Sequence, residues 1–140
     1  MTPALIALAC ACIAYFVSGY LLAHGLRARK LDMREDKSFS EIHGEHFKEL
    51  GISREVAERI WDEAARRLKL NPRKLRPADR FDSELSHQSA WFPFVDLNDD
   101  FYWWTVERMK LLKLEREVFE DVRTLGDYIR VFTSLESGDT

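Results

Sequence analysis

The hydrophobic pattern of the chain changes sharply after residue 23. Residues 4–23 are almost entirely apolar, and no acidic, lysine or arginine side chain precedes Arg27. A helix of that length is about 30 Å long, which matches the hydrocarbon core of a bilayer. The segment has no basic residue at its start and is too long for the apolar core of a cleaved signal peptide. The pattern therefore predicts a transmembrane anchor over residues 1–26, which contacts the lipid bilayer through residues 4–23.

The charges that follow this segment predict its orientation. Arg27, Arg29 and Lys30 come directly after it, and basic residues that flank a membrane span favour the cytoplasmic side. The N-terminus is then expected outside, and the rest of the chain in the cytoplasm, at an inner or plasma membrane. Cys10 and Cys12 are the only cysteines, and because they point to different faces of one helix we expect no disulfide between them.

Residues 27–50 are expected to form a charged tether. They are rich in side chains of both signs and have little periodic apolar content before Phe47 and Leu50. His43 and His46 have a spacing seen among metal ligands, but no further cysteine or histidine stands at a usable distance along the chain. We therefore interpret both histidines as solvated linker residues and predict no metal site.

After residue 50 the apolar positions recur with the period of an α-helix. Ser53 can cap a first helix, which the Asn-Pro pair at 71–72 ends. A second helix is capped at residues 98–99 and runs to about Leu112. The residues expected to be buried are Val56, Ile60, Trp61, Ala64, Ala65 and Leu68 in the first helix, and Phe101, Trp104, Val106 and Met109 in the second.

A last helix is indicated by Thr124 and Asp127, which stand at the spacing of a capping box. Val118 and Phe119 mark a short element before it, and no segment shows the alternation of a β-strand. The sequence therefore predicts an all-α protein: one transmembrane helix, a bundle of three to four helices over 51–135, and a disordered tail at 136–140. The apolar face of the last helix comprises Leu125, Tyr128, Ile129 and Phe132.

Composition narrows the classes of function. The chain is 46% hydrophobic and 32% charged, and its 24 acidic against 21 basic residues give a net charge of −3. A dedicated nucleic-acid-binding protein carries a basic excess, so no nucleic-acid partner is expected. The sequence contains no nucleophile motif, no glycine-rich phosphate loop and no HExxH pair. We accordingly predict a protein that is not an enzyme and holds no cofactor.

The order of elements after residue 53 resembles the acyl carrier protein family. Apolar residues in the long connection and the Thr124–Asp127 cap fall at matching places, and the likeness covers about residues 53–134. The resemblance implies an acyl-carrier-like helical bundle and, in a working carrier, a phosphopantetheine arm on a serine at the start of the second helix. The connection residues that carry the likeness are Leu68, Leu70, Leu75, Phe81 and Leu85.

The chain departs from this family at the attachment serine. An ungapped count from Phe81 places Ser89 there, but His87-Gln88 and Ala90 replace the acidic and apolar neighbours. An alignment through the second helix instead places the acidic pair at 99–100 at the serine position. Since fold does not imply function, the first interpretation is a membrane-anchored, non-enzymatic interaction module. The alternative is a membrane-tethered acyl or peptidyl carrier that is modified with phosphopantetheine at Ser89.

An unusual density of aromatic residues marks a candidate interaction patch. Four consecutive aromatic residues, 101–104, cover every side of a helix and cannot all be buried at once. Either the long connection before them folds over the second helix, or some of them bind a protein partner that the sequence does not identify. This aromatic patch comprises Trp91, Phe92, Phe94, Tyr102, Trp103 and Trp104.

A basic patch lies just upstream and suggests a second alternative, an anionic-lipid-binding module. Each base near an anionic membrane surface contributes about 1 kcal/mol of attraction. The competing interpretation is a solvated face in which the bases pair with Asp62, Glu63 and Asp79. The basic patch comprises Arg66, Arg67, Lys69, Arg73, Lys74 and Arg76.

Overall fold

The repeating secondary structure is entirely helical in the part of the protein that its computed structural model describes, residues 2–86, 99–136 and 138. These residues contain no β-strand, only one isolated antiparallel bridge between Arg80 and Thr124. The prediction of an all-α protein is therefore confirmed. The α-helices are α1 (Pro3–Asp32), α2 (Phe39–His46), α3 (Arg54–Leu68), α4 (Asp99–Leu111) and α5 (Leu125–Glu136), with 3₁₀ turns at Lys48–Leu50, Pro72–Lys74 and Arg116–Phe119.

The predicted transmembrane anchor is wrong. In the described part of the chain, no helix combines the length and the apolar character that crossing a membrane requires. The predicted single-pass topology and the predicted inner- or plasma-membrane location are therefore wrong as well. The expected contact of residues 4–23 with the bilayer depended on that anchor and loses its basis.

The segment expected to be a tether is folded into the core. α2 begins with a capping box in which the Glu41 N–H donates to the Ser38 hydroxyl (3.3 Å) and the Ser38 N–H donates to the Glu41 carboxylate (2.7 Å). The side-chain and backbone hydrogen bonds from Ser38 hold the pKa of Glu41 below its usual value. The buried residues of this segment are Leu31, Phe39, Ile42 and Phe47.

His43 belongs to this folded segment and is not a solvated linker residue. Its Nε2 lies 2.8 Å from the carbonyl oxygen of Ile52, and its ring centroid is 6.2 Å from that of Phe39. His46 is exposed, with Nε2 3.6 Å from the Glu45 carboxylate. No group of three or more metal-ligating side chains occurs among the residues that the structure describes. The histidine that the linker interpretation misplaced therefore helps to join α2 to the start of α3.

The core lies between α3 and the two helices that follow it. α3 buries five of its six predicted stripe residues, leaves Val56 partly buried, and also buries Ala57. Ser53 precedes the helix, but its side chain makes no capping hydrogen bond, so that expectation is wrong. Phe101 and Trp104 of α4 complete this side of the core. The confirmed residues of the stripe are Ile60, Trp61, Ala64, Ala65 and Leu68.

The last helix forms as its sequence predicts. The Asp127 N–H donates to the Thr124 hydroxyl (3.1 Å), and the Thr124 N–H donates to the Asp127 carboxylate (3.0 Å), which is the predicted capping box. α5 extends to Glu136, where Arg59 and Arg108 both pair with the carboxylate. The first residue of the expected tail is therefore ordered, and residues 137, 139 and 140 lie outside the described part. All four predicted face residues, Leu125, Tyr128, Ile129 and Phe132, are buried.

The loop after α3 is attached to the start of α5 by backbone hydrogen bonds. The Leu125 N–H donates to the Asp79 carbonyl (2.9 Å), and the Gly126 N–H donates to the Pro77 carbonyl (2.8 Å). A Cβ on Gly126 would lie 2.9 Å from the Pro77 oxygen, which is closer than real contacts allow. Only glycine at 126 therefore permits this approach of loop and helix.

Replacing Gly126 with alanine should lower the free energy of unfolding by about 1–3 kcal/mol, because the loop must move away from the helix. Gly44 in α2 provides the matched control, since a Cβ there meets nothing within 4 Å. Gly44→Ala should raise stability by about 0.5–1 kcal/mol through helix propensity. Urea unfolding followed by circular dichroism at 222 nm measures both, and equal stability of the two variants would contradict the proposed close contact.

Candidate functional site

α4 divides the aromatic run between the core and the surface. Phe101 is buried, with its ring centroid 5.4 Å from that of Phe81 and 5.0 Å from that of Tyr128. Tyr102 and Trp103 are 57% and 60% exposed. Successive helical residues are about 100° apart, so neighbours in sequence face different surroundings. The sequence argument that the run cannot be wholly buried is confirmed.

The aromatic patch is not one continuous surface in the described part of the chain. Trp104, which was included in it, is a core residue. Tyr102 and Trp103 are exposed as expected, and their rings meet edge to face at 5.4 Å. Trp91, Phe92 and Phe94 lie outside the described residues. Among the described residues of the predicted patch, only Tyr102 and Trp103 are therefore exposed.

An apolar groove of about 520 Å³ begins beside Tyr102 and runs along α4. Its α4 residues recur at steps of three and four, and so share one face of the helix. Val106 and Met109 were predicted to be buried, but they are only half-buried because they form this surface. We call this surface the α4 groove; it is lined by Tyr102, Thr105, Val106, Met109, Lys110, Lys113, Leu114 and Phe119.

A sharp reversal after α4 builds the second wall of the groove. Lys113 adopts the left-handed conformation (φ 53°), and the Leu114 N–H donates to the Met109 carbonyl (2.9 Å). The Lys113 N–H donates to the Lys110 carbonyl (3.2 Å), which completes a Schellman motif. The chain then turns back, so that Leu114 and Phe119 face α4 across the groove.

A smaller apolar cavity of about 270 Å³ continues the groove towards the core. It shares Tyr102, Thr105 and Phe119 with the α4 groove and reaches Phe81 and Tyr128. The Thr105 hydroxyl donates to the Phe101 carbonyl (2.9 Å) and lies 3.1 Å from the Tyr128 hydroxyl. Burial raises the pKa of Tyr128, so its phenol stays neutral and the floor of the cavity carries no charge from it.

The charges around the α4 groove are basic. Lys110 and Lys113 are among its lining residues, and none of those residues is acidic. Within the described chain neither lysine takes part in an ion pair. Because the other lining residues are mostly apolar, the surface combines a hydrophobic centre with positive charge at the end where α4 reverses.

A second groove, of about 700 Å³, lies between α3 and α4, and the charged side chains that line it are of both signs. The Arg108 guanidinium lies 5.3 Å from the centre of the Trp104 ring and 5.2 Å from that of Phe132, and it pairs with Glu136. Burial lowers the pKa of Arg108. Burial and the neighbouring Glu58 together raise the pKa of Asp62 on the same wall. Arginines and carboxylates alternate here, so this groove offers no single sign of charge to a ligand.

The basic patch is largely engaged in contacts within the chain. Arg66 and Arg67 both bind the Glu63 carboxylate, and Arg67 also binds Asp100 at 2.9 Å. The predicted pairing with Glu63 is therefore confirmed.

The remaining members of the patch lie in or beside the loop that follows α3. The Lys74 ammonium lies 2.9 Å from the Asp36 carboxylate. The Arg76 guanidinium donates to backbone carbonyls, among them that of Leu75 (2.8 Å). Lys69 and Arg73 are exposed. The anionic-lipid-binding interpretation stays a prediction, weakened by these pairs.

Comparisons with known proteins leave this chain without an assigned family. No family model matches it, and neither a curated protein nor a solved structure does. The resemblance to acyl carrier proteins therefore stays a prediction. Ser89 lies outside the described residues, so the carrier alternative with phosphopantetheine stays a prediction as well.

Sequence reasoning missed the α4 groove itself. The sequence pattern gives Lys110, Lys113 and Leu114 no role and predicts only a short element around Phe119. A signal was present in α4, which carries two apolar stripes, one through Phe101 and Trp104 and one through residues 102, 106 and 109. A small bundle buries one stripe per helix, so the second stripe indicates a surface.

Proposed function

We propose that this protein is a non-enzymatic interaction module that binds a protein partner through α4. The binding surface consists of the exposed pair Tyr102 and Trp103 together with the α4 groove. One observation carries the proposal: two large aromatic side chains, each more than half exposed, pack against each other, and one of them, Tyr102, lines an open apolar groove. Tyrosine and tryptophan dominate the energetics of protein interfaces, and exposed apolar patches of this kind commonly mark binding sites.

The rigidity of α4 supports this role. Phe101 and Trp104 hold the opposite face of the helix in the core, where their ring centroids are 5.7 Å apart. The exposed pair is therefore presented from a fixed backbone. A surface that is ordered before binding loses less conformational entropy when the partner arrives.

A photo-crosslinking amino acid at position 103 of the full chain, expressed in its source cells, tests the proposal. We expect a discrete adduct with one other protein, and no such adduct from position 130, an exposed site on α5. With that protein purified, Trp103→Ala should weaken binding at least about tenfold, as for an interface hot spot. Arg130→Ala is the matched control and should leave the affinity unchanged.

Two results would count against an interaction module built on α4. One is an adduct that forms equally from positions 103 and 130. The other is a purified partner whose affinity is the same for the Trp103→Ala variant and the unaltered chain. Circular dichroism of each variant shows that a loss of binding does not reflect a loss of fold.

A further inference from the structure

We propose that the α4 groove receives an acidic amphipathic helix of the partner, with carboxylates that pair with Lys110 and Lys113. This inference rests on the proposed function and specifies the chemistry of the occupant. The inference follows from the backbone and the charge of the groove. The conformation of Lys113 provides the control for the experiment.

The backbone around the groove favours a helical occupant over an extended one. Extended peptides bind chiefly by adding a strand to an open sheet edge, whereas amphipathic helices place side chains at i, i+3 and i+7 into apolar grooves. The groove wall is α4, in which the backbone is committed to the helix, and the residues that line it include no strand. From Tyr102 to Lys110, the last lining residue within α4, the wall is about 12 Å long at 1.5 Å per residue, or a little over two helical turns.

The positive charge of the groove favours acidic residues on that helix. Lys110 in the last turn of α4 and Lys113 at the reversal that follows it both line the groove. Glu107 stands one turn before Lys110 on α4 but is not a lining residue. Interfaces match potentials of opposite sign, which suppresses wrong partners and speeds association. A segment with carboxylates beside an apolar stripe fits this surface.

Lys113 also occupies a position that its own turn does not favour. The left-handed C′ residue of a Schellman motif is usually glycine, because other side chains are strained there. Lys69 occupies the equivalent position after α3, with φ 56° and the matching hydrogen bond from Leu70 to Ala65 (2.9 Å). The chain thus offers two lysines in the same local geometry, of which only Lys113 lines the α4 groove. They form a matched pair that separates backbone effects from binding effects.

The experiment uses a displayed library of 18-residue helical peptides with fixed apolar residues at i, i+3, i+4 and i+7 and random residues elsewhere. Selection against the full chain should enrich peptides that carry acidic residues beside the apolar stripe. For a selected peptide, Lys113→Gly and Lys110→Gln should each reduce affinity about threefold and together about tenfold, the size expected for rim charges. Replacing the peptide's glutamates with glutamine should produce the same loss, and added salt should reduce the difference.

Lys69→Gly is the control. Both glycine variants should raise the midpoint of urea unfolding, since each relieves a left-handed lysine, but only Lys113→Gly should weaken the peptide. Selected peptides that are neutral or basic, or that bind Lys113→Gly and Lys69→Gly equally, overturn the acidic helix. If such peptides still lose affinity with Tyr102→Ala, the interaction surface stands and only its charge preference fails. If no selected peptide loses affinity with Tyr102→Ala, the proposal of a helical occupant is wrong. The crosslinking experiment at position 103 then tests the interaction surface independently.

Discussion

Replacing Trp61 with alanine should lower the free energy of unfolding by about 3–5 kcal/mol, the range for large aromatic residues removed from a core. Trp61 is fully buried in α3, and its ring centroid lies 5.4 Å from that of Phe39 in α2. Its Nε1–H donates to the Pro72 carbonyl (3.2 Å). The substitution therefore removes the packing between α2 and α3 and leaves a carbonyl without its donor.

Urea unfolding followed at 222 nm measures this effect, and Trp103→Ala is the matched control. The same change of residue at an exposed position should alter stability by no more than about 0.5 kcal/mol. A Trp61→Ala variant within about 1 kcal/mol of the unaltered protein would show that residues 39–47 do not pack on α3. It would restore the interpretation of this segment as a tether.

Replacing Asp79 with alanine should lower the free energy of unfolding by about 3 kcal/mol. The Asp79 side chain is 4% exposed, its carboxylate lies 2.8 Å from the Arg34 guanidinium, and it accepts the Arg76 N–H at 2.7 Å. Removing one member of a buried ion pair costs about 3–5 kcal/mol. The lower end applies because the Arg34 side chain is 27% exposed and keeps part of its hydration. Asp79→Asn should cost less, since its amide oxygen can still accept one of these hydrogen bonds.

Asp82→Ala provides the comparison for Asp79. Asp82 also pairs with an arginine, Arg80 at 2.7 Å, but its side chain is 64% exposed. Exposed ion pairs contribute little, so this variant should unfold like the parent. Amide hydrogen exchange of Leu125, whose N–H donates to the Asp79 carbonyl, should accelerate in Asp79→Ala alone. Equal stability of the two variants would show that Asp79 does not hold the loop.

The sequence predicts the part of the fold in which apolar residues recur over several turns. α3, α4 and α5 were placed on that basis, and the Thr124–Asp127 spacing located the start of α5. α2 was missed because it has eight residues, too few for periodicity to stand out among charged neighbours. A local signal was present, since Ser38 and Glu41 have capping-box spacing, but only the contact with Trp61 shows that the segment is buried.

The candidate site was predictable only in outline. Helical geometry requires that some of residues 101–104 be exposed, and periodicity correctly predicts that Phe101 and Trp104 are buried. The density of aromatic residues alone placed Trp104 in the aromatic patch as well, and that assignment is wrong. The second wall of the α4 groove depends on the reversal at Lys113. Local preference argues against a lysine in that conformation, so sequence patterns do not predict the turn.

The link between Arg34 and Asp79 has a mechanical consequence. Arg34 follows α1 by two residues, and Leu31 within the last turn of α1 is buried. Asp79 in turn is joined through its carbonyl to the first residue of α5. A load on the end of α1 therefore reaches the start of α5 through several contacts, among them the Arg34–Asp79 ion pair and the backbone hydrogen bond to Asp79, so α1 and α5 resist separation together.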